Sequence, residues 1–213
     1  MTSQRTLVRR TSLAVAAGAA TVVLAACSGG GGHDMGSMGS SATPSATASA
    51  TASAKAGAHN AADVSFAQEM IQHHRQAVDM ADLADGRAES KEVKDLAVKI
   101  KGAQDPEIRT MSGWLTSWGE QVPEDMSGMG HDMSSSMPGM MSDADMDALK
   151  KASGAEFDKQ FLTLMVKHHE GALEMAKTEQ SKGEYGPAIR LADDVVKAQA
   201  AEIEQMNKLL GAN

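Results

Sequence analysis

Two histidine pairs, each with methionines at helical spacing, are the residues of this sequence best suited to chemistry. His73 and His74 follow Met70 by three and four residues, and Met80 follows His73 by two helical turns. Side chains three, four or seven residues apart lie on one face of an α-helix, so these donors can approach the same ion. The pattern recurs 95 residues later as Met165, His168, His169 and Met175.

Thioether sulfur and imidazole nitrogen together indicate a particular class of metal. Thioethers are soft ligands and imidazole is intermediate, so the set favours Cu(I), with Ag(I) as a mimic, over magnesium, calcium or manganese. Zinc sites usually contain cysteine and histidine. The sequence therefore predicts copper, as Cu(I). Imidazole binds a metal only when neutral, so we expect the affinity to weaken as the pH falls through about 6.5.

A second donor-rich stretch lies between the two histidine pairs. Residues 119–147 are rich in glycine, serine and methionine and lack helical periodicity, which predicts a loop. A low-complexity spacer is the alternative interpretation, but a loop has no core for methionine to fill. Its candidate copper ligands are Met126, Met129, His131, Met133, Met137, Met140 and Met141.

Structural roles compete with metal binding for the helical donors. Methionine at helical spacing is often core filler, and a histidine on an apolar face is often a hydrogen-bonded core residue. Gln104, Glu107 and their counterparts Gln199 and Glu202 are interpreted as polar helix positions, with partners of the histidines as the alternative.

An internal duplication predicts the architecture. Aligning 63–115 with 158–210 without gaps gives 17 identities in 53 positions. Each repeat has two apolar-periodic segments around a polar turn, which predicts a helical hairpin. Pro106 interrupts one segment, but its counterpart is Ala201, which favours a kinked continuous helix. Two such hairpins can bury their apolar stripes in an all-α, four-helix bundle with pseudo-twofold symmetry.

The predicted boundaries follow from caps and periodicity. Asp63 is a plausible N-cap for the first helix, and Pro187 suits the first turn of the last. The predicted folded domain is 62–213, with repeat one at 63–118, the methionine-rich loop at 119–147 and repeat two at 154–212.

The motifs resemble those of the family catalogued as domain of unknown function 305. The motifs are Met-x-x-His-His-x-x-Ala-x-x-Met-Ala from Met70, Gln-x-x-Glu-Ile-x-x-Met from Gln104 and Met-Pro-Gly-Met from Met137. The first two motifs, which lie on predicted helices, occur again in the second repeat. The resemblance covers about 60–212. It implies a ferritin-like fold and, since some exported members bind copper, a copper-binding role.

The N-terminus predicts export and lipid anchoring. Residues 1–26 have a basic start and a short apolar run, which is typical of a signal peptide. The end of that run, Leu24-Ala25-Ala26-Cys27-Ser28, resembles a lipobox with Cys27 as the lipidated residue. An ordinary cleaved signal peptide is the alternative. Residues 27–61 contain little but small and polar residues, which predicts a flexible tether. The predicted location is the cell membrane, lipid-anchored and facing outside the cytoplasm.

Charge and missing motifs exclude several functions. The net charge is −8, which is unsuited to nucleic acid. A di-iron oxidase needs Glu-x-x-His pairs, which the sequence lacks. The sequence therefore predicts a non-enzymatic protein that buffers, sequesters or hands on copper, with a copper-exchange protein as its partner. A helical envelope protein without a metal function is the alternative, and a metal-dependent oxidoreductase ranks below both.

Overall fold

The computed structural model describes residues 57–125 and 137–211. The predicted signal peptide, Cys27, the predicted tether up to residue 56, and the candidate ligands Met126, Met129, His131 and Met133 lie outside the described residues. Within them the chain is helical and forms no β-strand. Its helices are α1 (Ala61–Asp82), α2 (Lys91–Trp118), α3 (Asp143–Lys151), α4 (Gly154–Lys182) and α5 (Gly186–Leu210).

The four long helices form the two predicted hairpins. α1 packs against α2, α4 packs against α5, and α1 packs against α4, so the two central helices join the hairpins. The prediction of an all-α bundle built from two repeated hairpins is confirmed. None of the described helices is both long and apolar enough to cross a lipid bilayer.

Local signals explain where the helices begin and end. The N-cap of α1 is Asn60, three residues before the predicted Asp63, because the Asn60 side chain accepts hydrogen bonds from Ala62 N and Asp63 N. Asp63 instead closes a capping box by accepting from Asn60 N. α2 begins after Ser90, and it continues through Pro106 as the repeat predicts.

Two aspartates at equivalent positions fasten each hairpin to the turn of the other. Asp63 accepts hydrogen bonds from the backbone N–H groups of Glu184, at 3.2 Å, and Tyr185, at 2.9 Å. Asp158, 95 residues later, accepts one from the backbone N–H of Ser90 at 2.8 Å. Each aspartate lies near the start of one central helix and binds the turn after the end of the other. α1 and α4 are therefore antiparallel, which sets their histidines opposite each other.

The connection between the repeats is more ordered than the sequence predicts. The loop predicted over 119–147 contains the start of α3, whose capping box joins Ser142 and Asp145. Leu149 of α3 and Met141 just before it are buried in the core. Apolar periodicity is hard to recognise in a helix of nine residues with only one fully buried side chain.

Candidate metal centre

His73 of α1 and His168 of α4 meet where the two central helices cross. Their ring centroids are 3.7 Å apart and the ring planes are tilted by 42°. Both side chains are completely buried. Ala77 and Ala172, each one turn further along its helix, are also completely buried. Small side chains at these positions let the two helices approach closely enough for the imidazoles to touch.

The second histidine of each pair is bound to a glutamate of its own hairpin. His74 Nε2 lies 2.7 Å from Glu107 Oε2, and His169 Nε2 lies 2.8 Å from Glu202 Oε2. Since the carboxylate accepts, each imidazole donates its Nε2–H. The interpretation of Glu107 and Glu202 as plain polar helix positions is therefore wrong. The exposed Lys99 also lies 3.3 Å from the buried Glu202 and forms an ion pair with it.

Each of three imidazoles presents a free nitrogen to the interior. His73 donates its Nε2–H to the carbonyl oxygen of Pro138 at 3.1 Å, and His74 and His169 donate theirs to glutamates. The Nδ1 atoms of these three rings, and both ring nitrogens of His168, are buried without a hydrogen-bond partner. A ring whose N–H is held by a carboxylate or carbonyl has its other nitrogen oriented as a metal ligand. The donor set therefore fits a metal ion.

Burial keeps the central imidazoles neutral. It lowers the pKa of His73 to about 3, assisted by the nearby His74, and lowers the pKa of His168 well below its usual value, assisted by His73. Burial likewise lowers the pKa of His169, against the opposing effect of Glu202. Neutral imidazole is the metal-binding form. Protonation of His73 therefore does not begin near pH 6.5, as the sequence predicted, but in a far more acidic range.

The helical methionines flank the histidines and do not converge on one point. Met70 and Met175 belong to one hydrophobic cluster, and Met80 and Met165 belong to another. All four are buried, and Met175 is the most exposed at 7%. The antiparallel packing explains this split, because Met70 and Met175 lie on opposite sides of the histidine in their helices. Sulfur donors are therefore available on both sides of the imidazole pair.

The described residues do not form the kind of cluster that a zinc or di-iron site needs. In residues 57–125 and 137–211, no three His, Cys, Asp or Glu side chains are grouped so that they could hold a metal ion. A zinc or di-iron site needs such a group. A mixed site of imidazole and thioether does not, since sulfur supplies the remaining ligands.

The described end of the methionine-rich loop covers the imidazole pair. Gln76 binds the backbone of Met141 through two hydrogen bonds, 2.7 and 3.0 Å long. On α4, a Cβ added to Gly171 would lie 2.1 Å from the Pro138 carbonyl oxygen, so glycine is required for the contact. Gln76 and Gly171 are equivalent positions of the two repeats, and both hold this segment.

The predicted loop ligands differ in their placement. Met141 is buried at 1% exposure, whereas Met137 and Met140 are half-buried. Met141 packs in the cluster that contains Met80 and Met165. Pro138 was not predicted to contact the site, and no sequence signal identifies it. Glu107 and Glu202 did carry a signal, because both repeats keep them at the same distance from the histidine pair.

Comparison with known proteins decides the family. The family described as Domain of unknown function (DUF305) matches residues 63–210. The chain belongs to the DUF305 family. A DUF305 protein from Streptomyces coelicolor is 36% identical, with a TM-score of 0.63, over 70% of this chain and 92% of its own. A DUF305 fragment from Deinococcus radiodurans is 32% identical, with a TM-score of 0.63, over 72% and 98%.

Another solved structure similar to this DUF305 chain is CopM in its Cu(II)-bound form. It is 35% identical, with a TM-score of 0.61, and the match covers 70% of this chain and 95% of that one. CopM has also been solved in Cu(I)-bound and silver-bound forms, at 34% identity. No curated protein matches this chain.

Proposed function

We propose that this DUF305 protein binds copper, as Cu(I), outside the cytoplasm and buffers it, sequesters it or hands it to a copper-exchange protein. Lipid on Cys27 would anchor it to the cell membrane, with residues 27–61 as the tether. The protein acts as a binding protein and not as an enzyme.

The observation that carries the proposal is the set of unpartnered imidazole nitrogens at the α1–α4 crossing. A buried polar atom without a partner costs stability, typically about 1–3 kcal/mol. Five such nitrogens lie on four histidines, and on each neutral ring the nitrogen without a proton is free to bind a metal ion. Buried methionines on both sides supply soft donors that suit Cu(I).

The solved relatives support the same chemistry. CopM is described in Cu(II)-, Cu(I)- and silver-bound forms. Silver is a soft monovalent ion like Cu(I), so a site that takes both fits a thioether and imidazole donor set. Met126, Met129, His131 and Met133, together with Met137 and Met140, would add weaker sites.

The alternative is a helical envelope protein in which the histidines are only core residues. The experiment that separates the two functions compares His73→Gln/His168→Gln with the wild type. Copper binding is measured by competition with a chromophoric Cu(I) chelator, and folding by circular dichroism. If the imidazoles are ligands, the affinity falls more than the roughly 10–100-fold that loss of an outer partner causes.

Two controls make the result specific. His59→Gln removes a histidine that stacks on Trp118, remote in sequence from both histidine pairs, and should leave the Cu(I) affinity unchanged. The volume-conserving pairs Met70→Leu/Met175→Leu and Met80→Leu/Met165→Leu test which sulfur cluster contributes. A folded double-histidine variant with wild-type Cu(I) affinity would contradict a copper centre at the crossing.

A further inference from the structure

An ion cannot reach His73 and His168 from solvent without a route, because both side chains are completely buried. The central seam between α1 and α4 offers one. An open groove of about 390 Å³ lies along the first half of α1 and the last part of α4. On α1 its lining includes Ser65 and Glu69, which are one helical turn apart. His73 lies one turn further along the same helix face.

Two of the groove-lining residues connect the groove with the candidate centre. Pro138 lines it and accepts the hydrogen bond of His73 Nε2 at 3.1 Å. Met175 also lines it and packs in the hydrophobic cluster that contains Met70. The groove therefore leads from solvent to a thioether and to the residue that covers His73.

The chemistry of the lining suits a small soft cation. Glu69 and Glu174 are exposed on facing helices and give the groove a negative surface, with Lys182 as the lining cation near the end of α4. A cleft lined with one sign of charge raises the local concentration of oppositely charged ions. Met175 then provides a soft ligand inside the charged surface.

The equivalent surface of the other repeat also carries acidic residues but lacks the sulfur and the contact with a histidine. A second pocket is lined by Glu156, Gln160 and Leu164 of α4 together with two residues of α3. Gln160 is the counterpart of Ser65, and Leu164 is the counterpart of Glu69. No methionine or histidine lines that pocket. The pseudo-symmetry is therefore broken at the surface, and of these two pockets the first combines charge, sulfur and contact with a histidine.

We propose that the groove between α1 and α4 is the access route by which Cu(I) enters and leaves the centre at His73 and His168. This inference rests on the proposed copper-binding function. A route changes the rates of loading and release but not the equilibrium affinity, so kinetics and equilibrium test the two proposals separately.

The first test blocks the groove with a bulky side chain. Cu(I) is supplied to the full-length protein as its cationic acetonitrile complex, and a chromophoric chelator captures unbound copper at fixed times. Ser65→Trp should slow both loading and release by about tenfold or more, since a blocked route delays association. Its equilibrium affinity should equal that of the wild type. Gln160→Trp, the equivalent change in the second pocket, should keep wild-type rates.

The second test removes the negative charge. Glu69→Gln/Glu174→Gln should slow loading by about tenfold at low ionic strength, and the difference should disappear at high salt. Glu156→Gln is the control and should load normally. Wild-type rates in Ser65→Trp and in the double glutamate variant, with unchanged affinity, would overturn the route and leave the copper function standing. Absence of Cu(I) binding by the wild type would overturn both.

Discussion

Glu179 of α4 is buried beside Asp63 of α1, and neither of its carboxyl oxygens has a hydrogen-bond partner among the described residues. Both side chains are buried. Burial and the neighbouring Asp63 raise the pKa of Glu179 to about 8, so Glu179 holds the proton at neutral pH. Asp63 remains the anion that binds the turn at Tyr185. Ala84 is the counterpart of Glu179 in the first repeat, so the position equivalent to Glu179 near Asp158 holds no acid.

This pair predicts a loss of stability as the pH rises from about 4.5 to 8. The folded-state pKa of Glu179 lies above its ordinary value of 4.5, so the folded protein binds the proton more tightly. Stability therefore falls as the pH rises from about 4.5 through 8, by at most about 1.4 kcal/mol per unit. Glu179→Gln removes the ionisable group and should flatten this decline. Urea unfolding at pH 5, 6, 7 and 8 measures it, with Glu174→Gln as the exposed control. A parallel decline in Glu179→Gln would contradict a raised pKa at Glu179.

The buried histidines predict a loss of stability in acid. In the metal-free protein, the pKa of His73 is lowered from 6.5 to about 3, so the unfolded chain binds the proton more tightly. Stability should therefore fall as the pH drops from about 6.5 towards 3, again by up to about 1.4 kcal/mol per unit for this residue. His73→Gln/His168→Gln should flatten the dependence, and melting temperatures at pH 7, 6, 5 and 4 would reveal it. An unchanged profile would mean that these imidazoles become charged in the folded protein.

The same pKa value changes the expected pH dependence of copper binding. Since His73 stays neutral down to about pH 3, protons do not compete for it in mild acid. Between pH 7 and pH 5 the Cu(I) affinity should fall by less than about tenfold. Chelator competition at both values measures it. A steep loss centred near pH 6.5 would show that the ligands are exposed histidines instead.

Replacing Gly171 and Gly113 with alanine should change the stability of the protein in opposite directions. A Cβ at Gly171 would lie 2.1 Å from the Pro138 carbonyl oxygen, so Gly171→Ala must displace the segment that covers His73. Overpacking typically costs about 1–3 kcal/mol, and better helix propensity offsets about 1 kcal/mol of that. Gly113→Ala meets open space and should stabilise α2 by up to about 1 kcal/mol. Urea unfolding compares the two, and equal effects would contradict the close packing at Gly171.

The connection between the repeats should divide into a replaceable part and a structural part. Exchanging 126–136 for a Gly-Ser linker of equal length should change stability little, since loops tolerate substitution, while lowering the number of weakly bound Cu(I) ions. Met141→Ala should cost about 2–4 kcal/mol, because it empties a buried core position. Removal of all of 126–141, which includes Met141, should therefore destabilise the protein. Equal melting temperatures for Met141→Ala and the wild type would refute this division.

The proposed lipid anchor makes membrane attachment depend on Cys27. Acyl chains on that residue would supply the hydrophobic anchor, so Cys27→Ala should release the protein from the membrane fraction. Fractionation followed by immunoblotting measures this, with Cys27→Ala compared with the wild type at equal expression. Unchanged fractionation would contradict the lipoprotein prediction.

Local pattern in the sequence was enough to determine the helices, their duplication and the candidate donors. Apolar periodicity identifies which side chains share a helical face, and repetition at 95 residues identifies two equivalent hairpins. The positions of Met70, His73 and Met80 on one stripe follow from the helical repeat alone. The family resemblance follows from the same motifs, and residues 63–210 do match DUF305.

Only the tertiary structure decided how these donors are arranged. Contact between His73 and His168 depends on the antiparallel crossing of two helices far apart in the chain, and that crossing also separates Met70 from Met165. Pro138 reaches His73 because Gly171 leaves room for it, a relationship between residues with no shared periodicity. The pKa values of His73 and Glu179 depend on burial and on neighbours from other elements. Spacing along one helix determines a face, but distances between segments and the loss of solvent around them arise only when the hairpins pack together.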